Sequence, residues 1–255
     1  MRGREVLVHT VTMKTPTRTI LAAATAAFAA AAMPAQPAPA SDAPMRMHEW
    51  VLPFFPTQLT MAGIERGEVR IAIEVDAAGR LADMLLLATT DQALVRPTQE
   101  ALRKWTFEPA IIGGMARGTI RGITFDFRPD GLVVVQNANS GGAGPFLMEG
   151  NSFGVEKFDY EVSELKDLDR IPAPVHVVRP AVPARPAGGA PVASITVDFY
   201  IDERGDVRMP SVSRSEDNAL AWAAVRAVAQ WKFAPPTVEG APVTVHATQE
   251  FVFRP

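Results

Sequence analysis

One stretch of this chain occurs twice. Residues 67–129 and 193–255 align without a gap at a constant spacing of 126. Identical pairs include Asp76/Asp202, Gly79/Gly205, Leu94/Leu220, Ala101/Ala227, Trp105/Trp231, Phe107/Phe233, Pro109/Pro235 and Gly114/Gly240, and both copies close on Phe-x-Phe-Arg-Pro. With 14 of 63 aligned positions identical, the copies are too diverged for a recent duplication and too ordered for coincidence. Whatever unit the first copy folds into, the second therefore folds into as well.

Within a copy, the spacing of apolar residues changes from one period to another and so marks the elements. Leu220, Ala224, Ala227, Val228 and Trp231 fall at i, i+4, i+7, i+8 and i+11, one stripe of an amphipathic helix. Asp217 stands where an N-cap accepts backbone N–H groups, and Pro235-Pro236 ends the run. The first copy repeats the stripe with Asp91, Leu94, Ala101, Leu102 and Trp105, and its Pro97 requires the helix to start close to that residue. Upstream, Val69, Ile71, Ile73 and Val75 alternate with Arg70, Ala72 and Glu74, as Ile195, Val197, Phe199 and Ile201 do in the second copy, which predicts strands. Asp76-Ala-Ala-Gly79 and Asp202-Glu-Arg-Gly205 read as hairpin turns.

In the first copy this predicts strands over about 68–75, 81–88 and 118–128, with a helix over about 93–104 and a turn at Gly113-Gly114. A short helix from Pro56 toward Ala62 precedes them. A right-handed crossover places the third strand beside the first and leaves it at a sheet edge. The expected class is α+β, two tandem β-β-α-β units, each a three-stranded antiparallel sheet packed on one helix. Leu94, Trp105, Phe107, Leu220, Trp231 and Phe233 are the expected core, and Trp231→Ala is expected to cost on the order of 3–5 kcal/mol.

Composition narrows the function. A formal charge of −3 with no cluster of Lys and Arg argues against nucleic acid as a partner. The absence of cysteine excludes thiolate zinc sites, disulfides and Cys nucleophiles. His9, His48, His176 and His246 have no zinc-ligand spacing, and Gly141-Gly142-Ala143-Gly144 lacks the Lys and Ser/Thr of a phosphate loop. No nucleophile elbow or paired-acid arrangement stands out, so neither an enzyme nor a cofactor is expected.

Residues 1–40 read as an export signal with Met13 as the start: Lys14 and Arg18, an apolar run from Ile20 to Met33, then Ala38-Pro39-Ala40 as a small-x-small cleavage site. An uncleaved anchor is the alternative. The expected domains are 48–129 and 171–255. Between them, 130–170 serves as linker and lead-in, with a flexible stretch over Asn137–Gly144 and a proline-rich extended path over Pro172–Pro186. This middle part is expected to lie across the second domain.

Gly67-x-Val69, the two Asp-x-x-Gly turns, Ala-Leu/Val-x-x-Trp-x-Phe-x-Pro at Ala101–Pro109 and Ala227–Pro235, the following Gly and the closing Phe-x-Phe together resemble the C-terminal domain of the TonB family. Trp105-Thr-Phe107-Glu-Pro109-Ala110 matches that family's block outright, while the second copy reads Trp231-Lys-Phe233-Ala-Pro235-Pro236. Tyr160–Leu165 through Pro172-Ala-Pro174 and Arg179-Pro180 resembles the lead-in before such a domain, so the likeness covers about two thirds of the chain.

The resemblance implies an envelope protein that binds an extended segment of an outer-membrane receptor and passes on force from an inner-membrane ExbB–ExbD motor. An exposed sheet edge suits that role, because its unpaired N–H and C=O groups accept a peptide as a further strand. Thr244, His246, Thr248 and Glu250 are the expected partner-facing residues, with Val243, Val245, Phe251 and Phe253 facing inward and Gly118, Gly122 and Thr124 equivalent in the first copy.

Two departures set the chain apart from an energy transducer of that family: the long charged, proline-rich spacer is missing before the first copy, and the domain is duplicated. The expected function is therefore a non-enzymatic periplasmic protein capturing segments of envelope proteins. The alternative is a transducer anchored in the inner membrane by residues 13–33 and coupled to ExbB–ExbD. A homodimer formed through the edges stays open.

Overall fold

The computed structural model describes residues 42–128, 131–137, 157–181, 193–215 and 217–253. The expected export segment and most of the flexible linker lie outside these residues. Among the described residues, no helix is long and apolar enough to cross a membrane.

The first repeat opens with β1 (Arg46–Glu49) and the short helix α1 (Thr57–Met61). The hairpin β2 (Gly67–Val75) and β3 (Leu81–Thr89) follows. The Asp91 carboxylate accepts from the Ala93 N–H and starts a 3₁₀ turn that runs into α2 (Val95–Leu102). Pro97 is the third residue of α2, where a missing N–H breaks no helical bond. After α2 come β4 (Thr106–Glu108) and the small hairpin β5 (Ala110–Ile112) and β6 (Met115–Arg117), which turns on Gly113 and Gly114, both at positive φ. Next is β7 (Thr119–Phe127), which pairs with β2 along its whole length, so the third strand lies beside the first as the crossover rule requires.

The sheet does not stop at β7. The chain reverses through Gly131 (φ 77), with the Arg128 N–H bonded to the Leu132 carbonyl, and returns antiparallel as β8 (Val133–Asn137). The expectation that the third strand of the first copy is an edge is therefore corrected. Its own next segment covers it, and Val133 buries its side chain in the same core as Phe125 and Phe127.

Between the repeats, β9 (Tyr160–Glu161) pairs with the far side of β3, and β10 (Ser163–Glu164) pairs with a strand of the second repeat. Then β11 (Pro174–His176) leads into β12 (Ala193–Ile201), β13 (Val207–Ser215), α3 (Asn218–Val228), β14 (Lys232–Phe233), the hairpin β15 (Thr237–Val238) and β16 (Ala241–Pro242), and β17 (Val245–Phe253). The Asp217 carboxylate caps α3 by accepting from the Leu220 N–H. The two main sheets run β8-β7-β2-β3-β9 and β10-β17-β12-β13.

The duplication extends further back than the identities. Met47 of β1 pairs with Phe107, and Pro174 of β11 pairs with Phe233. The Trp105 indole N–H donates to the Val51 carbonyl at 2.8 Å, and that of Trp231 to Val178 at 2.7 Å. The Asp42 carboxylate accepts from Gly113, and that of Asp169 from Glu239 and Gly240. These lead-in pairs are all spaced by 127 residues rather than 126, one residue out of step with the domains that they serve. Each lead-in wraps the Trp-x-Phe segment. Glycine is required opposite that segment, since a side chain at Gly79 or Gly205 would overlap the carbonyl of Phe107 or Phe233.

Both sheets bury their second face as well. Ala72, Leu85 and Leu87 on the outer side of the first sheet meet Tyr200 and Met209 on the outer side of the second, with Ile120 and Val162 at the margin. Beside this apolar seam, Arg208 forks onto the Asp83 carboxylate, with Nε donating at 2.9 Å and Nη2 at 2.6 Å to the same oxygen. Burial and the neighbouring Asp83 carboxylate push the Glu74 carboxyl above its ordinary value, with Arg208 pulling the other way.

Trp105 is buried, whereas Trp231 is half-buried and so has less to lose than its sequence suggests. Trp105→Ala is expected to cost about 3–5 kcal/mol, and Trp231→Ala less. Urea titrations of the full chain check the order, and a cost below about 1 kcal/mol for Trp105→Ala would contradict this packing. The raised Glu74 carboxyl favours the folded state while protonated, and that contribution is lost as pH rises through its folded value. Glu74→Gln is therefore expected to raise the melting temperature at neutral pH and to leave it unchanged well below pH 4.5, as thermal melts across that range would show.

Candidate functional site

The candidate site is the outer side of β17. Toward the sheet interior, all nine of its residues pair with β12, from Val245 opposite Ile201 to Phe253 opposite Ala193. On the other side only Val245 and His246 have partners, Ser163 and Glu164 of β10, which run parallel to them. Among the described residues, nothing pairs with Ala247–Phe253 on that side.

Main-chain direction follows from one hydrogen bond. The Ser163 N–H donates to the Thr244 carbonyl at 3.0 Å, so the Thr244 carbonyl points outward. Peptide groups alternate along a strand, which turns the amides and carbonyls of His246, Thr248, Glu250 and Val252 to the same side. Those of Thr248, Glu250 and Val252 lie beyond the reach of β10 and, among the described residues, have no strand partner; the Glu250 carbonyl accepts only from the side-chain amide of its neighbour Gln249, at 2.7 Å.

The four expected partner-facing residues occupy different places. Thr244 precedes β17 and is buried; its carbonyl is taken by Ser163 and its side chain meets the Tyr160 hydroxyl. His246 faces the seam, its ring 5.4 Å from that of Tyr200 and its Nε2 3.6 Å from Asp198 Oδ1. Thr248 and Glu250 lie on the open stretch and are exposed. The Thr248 hydroxyl donates to Asp198 Oδ1 at 2.6 Å, and Glu250 accepts from the Ser194 hydroxyl at 2.6 Å.

Asp198 was missed by sequence reasoning, although it is the hub of this face. Burial alone would raise its carboxyl, but the neighbouring His246, Ser213 and Thr248 side chains outweigh that and hold it below its ordinary value. Burial, with Asp198 beside it, pushes the Tyr200 hydroxyl up to about 12, so it stays neutral. The available signal was an Asp inside the apolar run Val197–Ile201, where a buried carboxylate needs several donors. The chemistry is that of a structural clamp: it locks β17 to β12 without engaging the outer backbone groups.

On the helix side, β17 presents aromatic rings. Phe251 lies 5.7 Å from Trp231 and 6.3 Å from Phe253, and both phenylalanines are half-buried. Their counterparts Phe125 and Phe127 in the first repeat are 0% exposed, with β8 beside them in the sheet, Trp105 against Phe125 and Phe55 against Phe127. Gly122 and Thr124, expected at an open edge, lie within the covered β7, where Thr124 pairs with Gln136. Leu94, Phe107 and Leu220 are buried in the two cores, and Phe233 is half-buried against Phe199.

A search of curated proteins finds no match. Among solved structures, the solution NMR structure of the Pseudomonas aeruginosa TonB C-terminal domain is similar at 24% identity, with a TM-score of 0.30, covering 35% of this chain and 90% of that one. The family model described as the C-terminal part of the Gram-negative bacterial TonB protein matches residues 51–129 and 190–255, the two repeats and more than half of the chain. On that match, the chain belongs to the TonB C-terminal family.

Proposed function

We propose that this chain is a non-enzymatic protein of the bacterial periplasm that binds extended segments of outer-membrane receptors or other envelope proteins. The guest adds as a strand to the outer side of β17. The carrying observation is that, among the described residues, no strand pairs with the outward backbone groups of Thr248, Glu250 and Val252, on a strand whose inner side is fully paired. Thr248 and Glu250 flank the incoming chain in this reading, while Thr244 and His246 hold the edge against the seam. A tethered energy transducer coupled to ExbB–ExbD is the alternative reading, supported by the apolar run from Ile20 to Met33. Membrane fractionation separates the two, since a cleaved, freely soluble product ends the transducer reading.

Thr248→Pro tests the binding reading. Proline removes an amide that points away from β12, so the backbone ladder with β12 is kept while a guest is obstructed. Thr248→Val, which loses the same Asp198-bound hydroxyl but keeps the amide, is the control expected to retain capture. Capture of receptor segments from an envelope extract by the immobilised full chain is expected to fall at least tenfold in the proline variant, with its melting curve showing the fold intact. Unaltered capture would move the contact away from β17.

A further inference from the structure

The first repeat contains a filled version of the edge that stands open in the second. On β7, the chain's own β8 runs antiparallel, with Val133 opposite Phe127, Val135 opposite Phe125 and Asn137 opposite Ile123. Val133 is 8% exposed and, with Val135, packs into the helix-side core beside the two phenylalanines, where Phe55 also lies against Phe127. On β17 the same positions hold Phe253, Phe251 and Gln249, with the phenylalanines half-buried and Val252 52% exposed. The backbone parity also agrees. The Arg128 N–H bonded to the Leu132 carbonyl puts Asp126 and Thr124 in the bonded pairs with Val134 and Gln136, and their counterparts are Val252 and Glu250, whose groups point outward.

We infer that the open edge selects an extended segment running antiparallel to β17, with β-branched aliphatic side chains two residues apart seated opposite Phe253 and Phe251. This rests on the edge-addition reading and adds direction, register and side-chain pattern to it. The direction and register are those of β8. The aliphatic pair covers the exposed sides of the two rings, as Val133 and Val135 cover Phe127 and Phe125, and β-branched residues suit a strand packed on one face. The residue between the pair faces the opposite side and is free to vary. The guest is short, because Ser163 and Glu164 already occupy the places opposite Val245 and His246; seven positions remain, Ala247 to Phe253, and a strand of β8's length covers the five from Gln249 to Phe253.

The probe is a labelled peptide of this chain's residues 131–138, Gly-Leu-Val-Val-Val-Gln-Asn-Ala, titrated by fluorescence anisotropy against the full chain. Saturable one-to-one binding is expected. Replacing the residues of the peptide that correspond to Val133 and Val135 by Ser is expected to weaken it at least tenfold, whereas Ser in place of Val134 changes it by less than about threefold. N-methylation at the Gln136 amide blocks strand pairing without altering the protein and is expected to abolish binding. A nitroxide on the peptide's N-terminus is expected to broaden the NMR signals of Phe253 more than those of Ala247. Equal binding of all the Ser variants would overturn the inferred pattern while leaving edge addition intact, and a nitroxide effect centred on Ala247 would overturn the direction. A parent peptide that fails to bind, or a dimer of the chain that excludes it, would also overturn the inference. The wider reading is judged separately by the Thr248→Pro capture experiment.

Discussion

A strand at the margin of a sheet carries a row of amides and carbonyls that no neighbour satisfies, and that row is the most adhesive surface a sheet protein has. The two repeats meet this constraint differently with the same strand. In the first, a turn at Gly131 brings Val133–Asn137 back to pair with β7, so the groups are satisfied within the molecule. In the second, two residues of the connecting strap cover the start of β17 and the remainder stays available. Phe125 and Phe127 are sealed and Phe251 and Phe253 are not, although the residue types are identical.

The seam explains why the repeats are joined rather than strung apart. The outer faces of both sheets carry apolar residues that either repeat alone would expose to water. Back-to-back packing of Leu85, Leu87, Tyr200 and Met209 removes that surface from solvent. The strap from Tyr160 to Glu164 pairs with β3 of one sheet and β17 of the other within five residues, while Val162 enters the seam between them. Arg208 and Asp83 fix the register of the two faces. The open edge is thus presented by a packed two-sheet body in which its first two positions, its inner ladder and its outer face are all held.

Much of this was legible from residues alone. The two stripes from Asp91 to Trp105 and from Asp217 to Trp231 specify their helices because cap, period and stop agree locally. The alternation of Val69–Val75 specifies a strand and its helix-facing side. What was not legible depends on partners distant in sequence. The consecutive apolar residues Met84-Leu85-Leu86-Leu87-Ala88 suit a strand covered on both faces, a pattern that sequence reasoning did not use, and nothing local identifies the second sheet that covers Leu85 and Leu87. The lead-ins share few identities because their work is done by backbone carbonyls at Val51 and Val178, which leave no trace in residue type. Val133–Gln136 reads as a strand in isolation, but its pairing with β7 hinges on one glycine turn. Thr244 fitted the outward alternation of β17, but the strap had already claimed its carbonyl.

Amide hydrogen exchange compares the two edges most directly, because it reports each backbone group separately. The amides of Thr124 and Asp126, bonded to β8, are expected to exchange on the order of a hundredfold more slowly than those of their counterparts Glu250 and Val252. Equal protection at all four would mean that the outer side of β17 is already covered and offers no place for a guest strand.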